Sequence, residues 1–549
     1  MGIEDKLEFI PITRSLKNYI EKYTYMKNRY VTFMSMINTD WLKYITEDEF
    51  NSSLKYFNDK YQSITDEFNM VMQNLKLMYH DQIQNRPFDI DFIDDCIIVN
   101  KSNDRINVSK YIKDKHRNHF EQYSDMISRL YDDEKIKLDI NGNHVMSITM
   151  QVTDACNMKC TYCYQHIKGE HSMPFKVATK FIDMILDGGI KVNKYLDANK
   201  LNGVILDFIG GEPFMEIELI DHICEYFLAQ LFKRKHHWIE KFMFSFSSNG
   251  LLYFDDKVQD YLRKYNGFVS LGISIDGNKE LHDACRIDLD GNGTYDRAIE
   301  AAKDLMIRYG GDSTKMTISS YNVHLIYNAV VNMIELNYHT IHLNCVYEQG
   351  WNYNHASILY HQLIDIIDYL DINGLLNSIS ISMLNEMHCK PLNSENNKNW
   401  CGGVGLMLAI DYKGDIYPCL RYMESSVGNN QPPYIIGNII DGICNKKEHN
   451  ERLECMKCIT RRSQSSDECF NCPIAAGCGW CSAYNYEYYG TPNMRTTFTC
   501  CMHKARSLAN AYYLYKKYGH SIIHCPKEWA VPIIGENEYD RLKKICEGE

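Results

Sequence analysis

Met146-Ser-Ile-Thr-Met-Gln-Val152, followed at once by Thr-Asp-Ala-Cys156-Asn-Met-Lys-Cys160-Thr-Tyr162-Cys163-Tyr, is the stretch that decides the fold. An apolar strand-like run ends in a loop with three cysteines, spaced by three and then two residues. Similar runs return at Gly203–Ile209, Phe242–Ser247, Val269–Ile275, Met316–Ser319 and Thr340–Val346. Helix-length segments separate most of them, as at Lys176–Leu186, Glu216–Phe232 and Val323–Leu336. Repeated β-then-α units predict an α/β fold of parallel strands joined by crossover helices. Functional residues are then expected at the C-terminal ends of the strands. Periodicity alone leaves a full and a partial barrel equally open.

On the N-terminal side, residues 1–87 carry helical patterning rich in Tyr, Phe, Met and Leu, with almost no Gly or Pro. Residues 88–145, with the apolar runs Phe92-Ile93 and Cys96–Val99 and a turn at 102–104, read as a small α+β adaptor. On the other side, the 146–350 core passes through a connecting segment, 351–400, into a cysteine-dense region, 401–510. That region opens with a predicted hairpin, Leu406–Tyr412 and Asp415–Tyr422 around Lys413-Gly414, where glycine suits a positive φ. A helix over Ala505–Tyr518, stopped by Gly519, leads into the tail, 511–549. There is no internal repeat.

The chain has 549 residues and a formal net charge of −12, so its global balance does not favour a nucleic-acid backbone as partner. Its 21 cysteines fall short of the roughly 8–10% that marks a short secreted disulfide scaffold. The N-terminus, Met-Gly-Ile-Glu-Asp-Lys-Leu-Glu, is charged throughout and lacks the apolar run of a signal peptide. No uncharged apolar stretch reaches the roughly 18 residues of a membrane span. The expected location is the cytoplasm, with no membrane partner, and there clustered cysteines more often bind metal than pair as disulfides. Three cysteines form the first cluster and eleven lie between Cys401 and Cys501. The scattered seven, Cys96, Cys224, Cys285, Cys345, Cys389, Cys525 and Cys546, read as small buried hydrophobes.

Three thiolates on one loop leave a fourth iron of a [4Fe–4S] cube without a protein ligand, and an open iron is where small-molecule chemistry can occur. A structural zinc site, the alternative, prefers four protein ligands. Cys156-x3-Cys160-x2-Cys163, with aromatic Tyr162 before the last cysteine, resembles the radical S-adenosylmethionine superfamily. The resemblance implies a partial (β/α)6 TIM-like barrel in which S-adenosylmethionine chelates the open iron and is split to a 5′-deoxyadenosyl radical. Gly210-Gly211-Glu212-Pro213 resembles the family's methionine-binding motif, in which glycines allow close backbone approach and Glu212 fixes the ammonium. Ser247-Ser-Asn249-Gly250 and Ser274-Ile-Asp276-Gly277, followed by Arg286, resemble the positions that hold the ribose and the cofactor carboxylate.

The pattern Cys401, Cys419, Cys469-x2-Cys472-x5-Cys478-x2-Cys481 and Cys500 resembles the SPASM extension of the same superfamily, which carries two auxiliary [4Fe–4S] clusters, three in all. The resemblance assigns Cys401, Cys419 and Cys481 to auxiliary cluster I and Cys469, Cys472, Cys478 and Cys500 to cluster II, with Cys501 an alternative to Cys500. Met407 stands where many members place a fourth cluster I cysteine. Cluster I is thus open, or completed by Cys444, Cys455 or Cys458.

Among the reactions of this group, formylglycine formation in sulfatase maturation uses an Asp directly after the hairpin cysteine. Here Leu420 follows Cys419, so that base is missing. The expected activity is therefore modification of a ribosomal precursor peptide bearing a leader, most simply by a thioether cross-link. Carbon–carbon cyclisation, formylglycine formation and a non-catalytic Fe–S or zinc scaffold are the alternatives. A reduced flavodoxin- or ferredoxin-type donor is the implied electron source.

Overall fold

The computed structural model describes residues 27–80, 89–93, 96–101, 104–107, 145–188, 201–311, 313–348, 350–397, 401, 403, 407–428, 430–444 and 446–547, with side chains for all of these except 67–145. The chain divides into two compact units, Met1–Val145 with Tyr226–Lys241, and Met146–Glu225 with Phe242–Glu549.

In the first unit, a long helix α1 (Glu47–His80) follows a short 3-10 turn, Thr39–Lys43, capped by the Asn38 side chain. Its core is aromatic: Phe57 stacks on Phe232 at 5.4 Å, and Trp41 meets the same ring edge-on. Strands β1 (Asp89–Ile93), β2 (Cys96–Lys101) and β3 (Asp104–Asn107) form an antiparallel sheet, with Ile90 opposite Val99 and Val99 opposite Ile106. The remainder of the expected adaptor, and residues 1–26, lie outside the described residues.

The second unit holds the alternating strands β4 (Val145–Gln151), β5 (Gly203–Ile209), β6 (Phe242–Ser248), β7 (Val269–Ile273), β8 (Ser313–Ile318) and β9 (Thr340–Cys345), with a short β10 (Ser380–Ile381). The intervening helices are α2 (Phe175–Asp187), α3 (Ile217–Lys233, of which the part from Tyr226 belongs to the first unit), α4 (Asp256–Lys264), α5 (Lys279–Cys285), α6 (Tyr295–Tyr309) and α7 (Ile326–Glu335). Strands β5, β6 and β7 run parallel, as do β8 and β9. The six strands do not make one ladder. Four belong to one sheet, while β8 and β9 pair with β10 in another. The opening after β7 is bridged by single bonds: Thr314 Oγ1 donates to Ile275 O, and Thr317 N to the Asp276 carboxylate at 2.9 Å.

The predicted hairpin forms, but with shorter arms, β11 (Met407–Ile410) and β12 (Asp415–Tyr417), because the chain turns into a 3-10 segment at Leu420–Tyr422. It also joins the core sheet. Strand β11 pairs in parallel with β4, Leu408 opposite Ile148, and β12, β13 (Gly437–Asn438) and β14 (Gly442–Ile443) continue outward to give eight strands. The connecting segment contains a 20-residue helix, α8 (Tyr353–Ile372). Beyond β14 come α9 (Lys447–Lys457), α10 (Ser482–Tyr489), α11 (Cys500–Tyr518), α12 (Lys527–Ile534) and α13 (Glu536–Glu547). Helices α8 and α11 are pinned by Tyr512 Oη on Asp368 and Lys516 on Asp371.

Side-chain alternation along the strands separates two faces. Ile148, Met150, Leu206, Phe208, Phe244, Phe246, Met316 and Ile341 are buried. Their alternating neighbours are polar: Ser247, Ser270, Lys315, His342 and Asn344 are exposed, while Asp207 and Ser245 are half-buried. A parallel sheet usually has both faces covered by apolar packing. Here β6 to β9 leave one face polar and open, while on β4 the polar Thr149 and Gln151 are buried. No helix among the described residues is long and apolar enough to cross a membrane.

Candidate functional site

The loop after β4 is held by backbone bonds on two sides. Lys159 N and Thr161 N donate to Ile287 O and Cys285 O, while Glu212 N donates to Ala155 O at 2.9 Å. This brings Cys156, Cys160 and Cys163, all half-buried, together at the strand C-termini. Burial pushes the Cys160 thiol up to about 11, the nearby Arg286 pulls it down, and the other two thiols raise it further. The Cys285 thiol itself stays outside this group and accepts from Asn322 Nδ2. Of the other scattered cysteines, Cys224, Cys389, Cys525 and Cys546 are also buried and Cys345 is partly so.

Gly211 packs directly on this loop. A Cβ there would lie 2.2 Å from Ala155 O and 2.5 Å from Cys156 Cβ. Gly211→Ala must therefore displace Cys156. The expected outcome is anaerobically reconstituted protein that loses about one cluster's share of iron, four atoms per chain, while the C-terminal cysteine groups keep theirs; iron analysis against wild type checks this.

Glu212 is buried and accepts from Ser248 Oγ, Asn249 N and Phe214 N. Burial raises its pKa against the pull of these three donors. Both carboxylate oxygens thus tie the Gly210-Gly211 turn to the end of β6, with a lone-pair site left on the oxygen that accepts from Asn249 N. Gly210 O is taken by Gln165 Nε2. Ser247 lies on the open face, and the serine facing Glu212 is its neighbour Ser248. Asn249 Nδ2 reaches back to Asn157 in the cysteine loop at 2.7 Å, and Ser274 N donates to Ser248 O.

Asp276, fully buried, is the junction of the site. It accepts from Arg286 Nε at 2.8 Å, from Thr317 N and from the Tyr162 hydroxyl, while the Arg286 guanidinium lies 5.4 Å from the Tyr162 ring centre. Asp276 N donates to His282 Nδ1, so the proton sits on Nε2, which faces Thr294 Oγ1; the threonine hydroxyl donates to Arg286 O. Burial, with Arg286 adding to it, pushes His282 from 6.5 down to about 4. The folded state therefore binds fewer protons at this residue than the unfolded state. Its stabilising contribution is present above pH 6.5 and is lost as pH falls from 6.5 towards 4. Thermal unfolding midpoints across that window should fall more steeply for wild type than for His282→Gln.

In the C-terminal region, Gly403 marks the meeting of two thiols. A Cβ there would stand 3.3 Å from Cys419 Sγ and 3.4 Å from Cys401 Sγ. Burial raises the Cys419 thiol, and Cys481 and Cys401 raise it further. Tyr484 N donates to Cys481 Sγ at the start of α10. Met407 is a strand residue opposite Ser147. Cys444 faces His449 O, Cys455 hydrogen-bonds with Tyr434, and Cys458 is exposed. Sequence reading passed over Arg421, whose guanidinium sits 5.1 Å from the Tyr164 ring centre and 3.1 Å from Glu348. Its position two residues after Cys419 was the available signal.

Cys469, Cys472, Cys478 and Cys500 line one cavity of about 540 Å3. Arg495 donates to Cys469 Sγ and, at 2.9 Å, to Cys478 Sγ, which suits sulfurs carrying negative charge. Cys501 instead faces Asn352 O. Among the described residues, no three His, Cys, Asp or Glu converge on a point as a mononuclear zinc site requires.

Residues 150–319 match the family described as the Radical SAM superfamily. The chain is 22% identical over 390 residues to the radical SAM cyclopropyl synthase TigE of Paramaledivibacter caminithermalis, covering 66% of this chain and 73% of that protein. It is 26% identical over 364 residues to a cysteine-type anaerobic sulfatase-maturating enzyme of Clostridium perfringens, covering 61% of this chain and 91% of that protein. The solved structure of histidine-tagged anSMEcpe with bound AdoMet aligns at a TM-score of 0.49 and 18% identity, over 71% of this chain and 98% of that chain.

Proposed function

We propose that residues 150–319, which match the Radical SAM superfamily, make this chain an enzyme of that superfamily, and that it modifies a ribosomally made precursor peptide, joining a cysteine sulfur to a carbon of the same peptide. The observation that carries the reading is the presence, in one compact unit, of three cysteine groups and an open polar strand face. The donor sets fit iron–sulfur clusters. Cys156, Cys160 and Cys163 share one loop braced by Gly211, and Cys469, Cys472, Cys478 and Cys500 line one cavity beside Arg495. In this reading Cys401, Cys419 and Cys481 would hold the remaining auxiliary cluster, which would supply an acceptor for the second electron that C–S bond formation releases. The first cluster and S-adenosylmethionine, held by Cys156, Cys160 and Cys163, would supply the radical chemistry that removes a hydrogen atom from substrate carbon.

The chain's own residues do the positioning. Glu212 fixes the Gly210-Gly211 turn against the cysteine loop, and Asp276 holds Arg286 over Tyr162. Asp207, within 3.4 Å of Thr149 Oγ1, places a carboxylate on the open face of the sheet; burial raises its pKa, which suits an acceptor for a substrate proton. The β1–β3 sheet is the proposed leader-binding module, recognising an extended strand. A flavodoxin- or ferredoxin-type protein is the proposed electron donor.

The TigE relative is described as a cyclopropyl synthase and the C. perfringens relative as a sulfatase-maturating enzyme. Leu420 after Cys419 supports a cross-link over formylglycine. Mass spectrometry of a cysteine-containing precursor incubated with enzyme, S-adenosylmethionine and reductant tests this. A product two hydrogens lighter whose cysteine resists iodoacetamide is expected. An aldehyde product, or a lighter peptide with its thiol still alkylatable, would overturn the thioether assignment.

A further inference from the structure

We propose that a cavity beside Cys481 is a subsite for a cationic side chain, a lysine ammonium or an arginine guanidinium, of the peptide substrate; this rests on the reading of the chain as a peptide-modifying enzyme. The cavity measures about 570 Å3 and is lined by Glu348, Asn430, Gln431, Tyr484, Glu487 and Tyr488. Its placement follows from the elements around it. Cys481 is the N-cap of α10, and Tyr484, Glu487 and Tyr488 come three, six and seven residues later, on one side of that helix. Glu348 follows the C-terminal end of β9, the strand end at which a barrel of this type presents its site. The cavity thus adjoins both a proposed cluster ligand and the rim of the open strand face.

Its carboxylates outnumber the one guanidinium that faces them. The walls offer two carboxylates, two phenol rings and two amides. The two carboxylates share one guanidinium, Arg421, at 3.1 Å from Glu348 and 3.9 Å from Glu487; His166 meets Glu487 at 3.1 Å. Glu487 is 6% exposed and forms the floor, while Glu348, 34% exposed, stands at the mouth. Two carboxylates sharing one guanidinium leave room for a second counter-charge, which a cation beside the two phenol rings would supply; an aliphatic or anionic occupant would desolvate the acids without adding one.

Isothermal titration of the reconstituted full-length enzyme with Nα-acetyl-L-arginine amide, Nα-acetyl-L-lysine amide and the uncharged Nα-acetyl-L-norleucine amide tests the subsite. The cationic probes are expected to bind about tenfold or more tighter than norleucine. Glu348→Gln and the more exposed Tyr488→Leu should each weaken the arginine probe by about fivefold, and Glu348→Lys should abolish its binding. Each variant's thermal midpoint reports whether it has folded. Equal binding of norleucine, or unchanged arginine binding in both Glu348→Gln and Tyr488→Leu, would overturn the proposal. If the cations bind as expected and no precursor is modified, the peptide reading fails and the subsite stands. If a precursor is modified without this discrimination, the subsite fails alone.

Discussion

Replacing Cys156, Cys160 and Cys163 together by Ala is expected to abolish the proposed reductive cleavage of S-adenosylmethionine, while the iron proposed to bind through the C-terminal cysteines is retained. The two parts of this result have separate causes. Removing three thiolates from one loop leaves no protein donor for the first cluster, so 5′-deoxyadenosine falls to the level of a no-enzyme control. The C-terminal thiols are held by other elements, among them the Arg495 contacts to Cys469 and Cys478 and the Tyr484 contact to Cys481. Absorbance and iron content of the variant therefore drop by the first cluster alone. Loss of all iron would mean that the three groups fold as one unit rather than as separate sites.

The second large effect is expected at Asp276. Its carboxylate accepts from Arg286, Thr317 N and Tyr162, and Thr317 is one of the few links across the opening between β7 and β8. Burial works against the charge on Arg286, and Asp276, together with Tyr162 and Cys160, offsets it. Asp276→Ala leaves that guanidinium buried without a counter-charge and the Thr317 N–H without an acceptor. A cost of about 3–5 kcal/mol is expected for breaking one partner of a buried pair, read as a shift in the urea midpoint. Asp276→Asn keeps an acceptor for Thr317 and should lose less. In the cycle with Arg286→Gln, the double variant should be more stable than the sum of the singles predicts, because the second change removes the uncompensated charge.

Much of this site was legible because its residues cluster within short segments. The loop from Cys156 to Cys163, the Gly210-Gly211-Glu212 turn and the Asp276–Arg286 segment each sit just past a strand that the sequence marks by its apolar run. Long-range pairing leaves no such mark. Nothing in Met407–Ile410 announces that it will lie beside Ile148, so the hairpin read as a separate structure instead of an extension of the core sheet. The break after β7 was equally hidden, since it depends on Asp276 replacing ladder bonds.

Single-residue choices also escaped. Ser247 and Ser248 are equivalent in composition, but a strand sends neighbours to opposite faces, and only Ser248 faces Glu212. Cys500 and Cys501 begin a helix, where adjacent side chains diverge by about 100°. One lines the cavity and the other turns to Asn352. The Arg421, Glu348, Glu487 and His166 group draws on four distant segments, and no spacing rule could have assembled it.

The central claim is that the loop at Cys156, Cys160 and Cys163 makes this chain a radical enzyme. Its most direct test is anaerobic incubation of the iron- and sulfide-reconstituted protein with S-adenosylmethionine and dithionite, followed by chromatographic quantification of 5′-deoxyadenosine. A brown protein that forms 5′-deoxyadenosine, and stops doing so in the triple alanine variant, is the predicted result. A colourless protein carrying stoichiometric zinc and forming none would contradict the account.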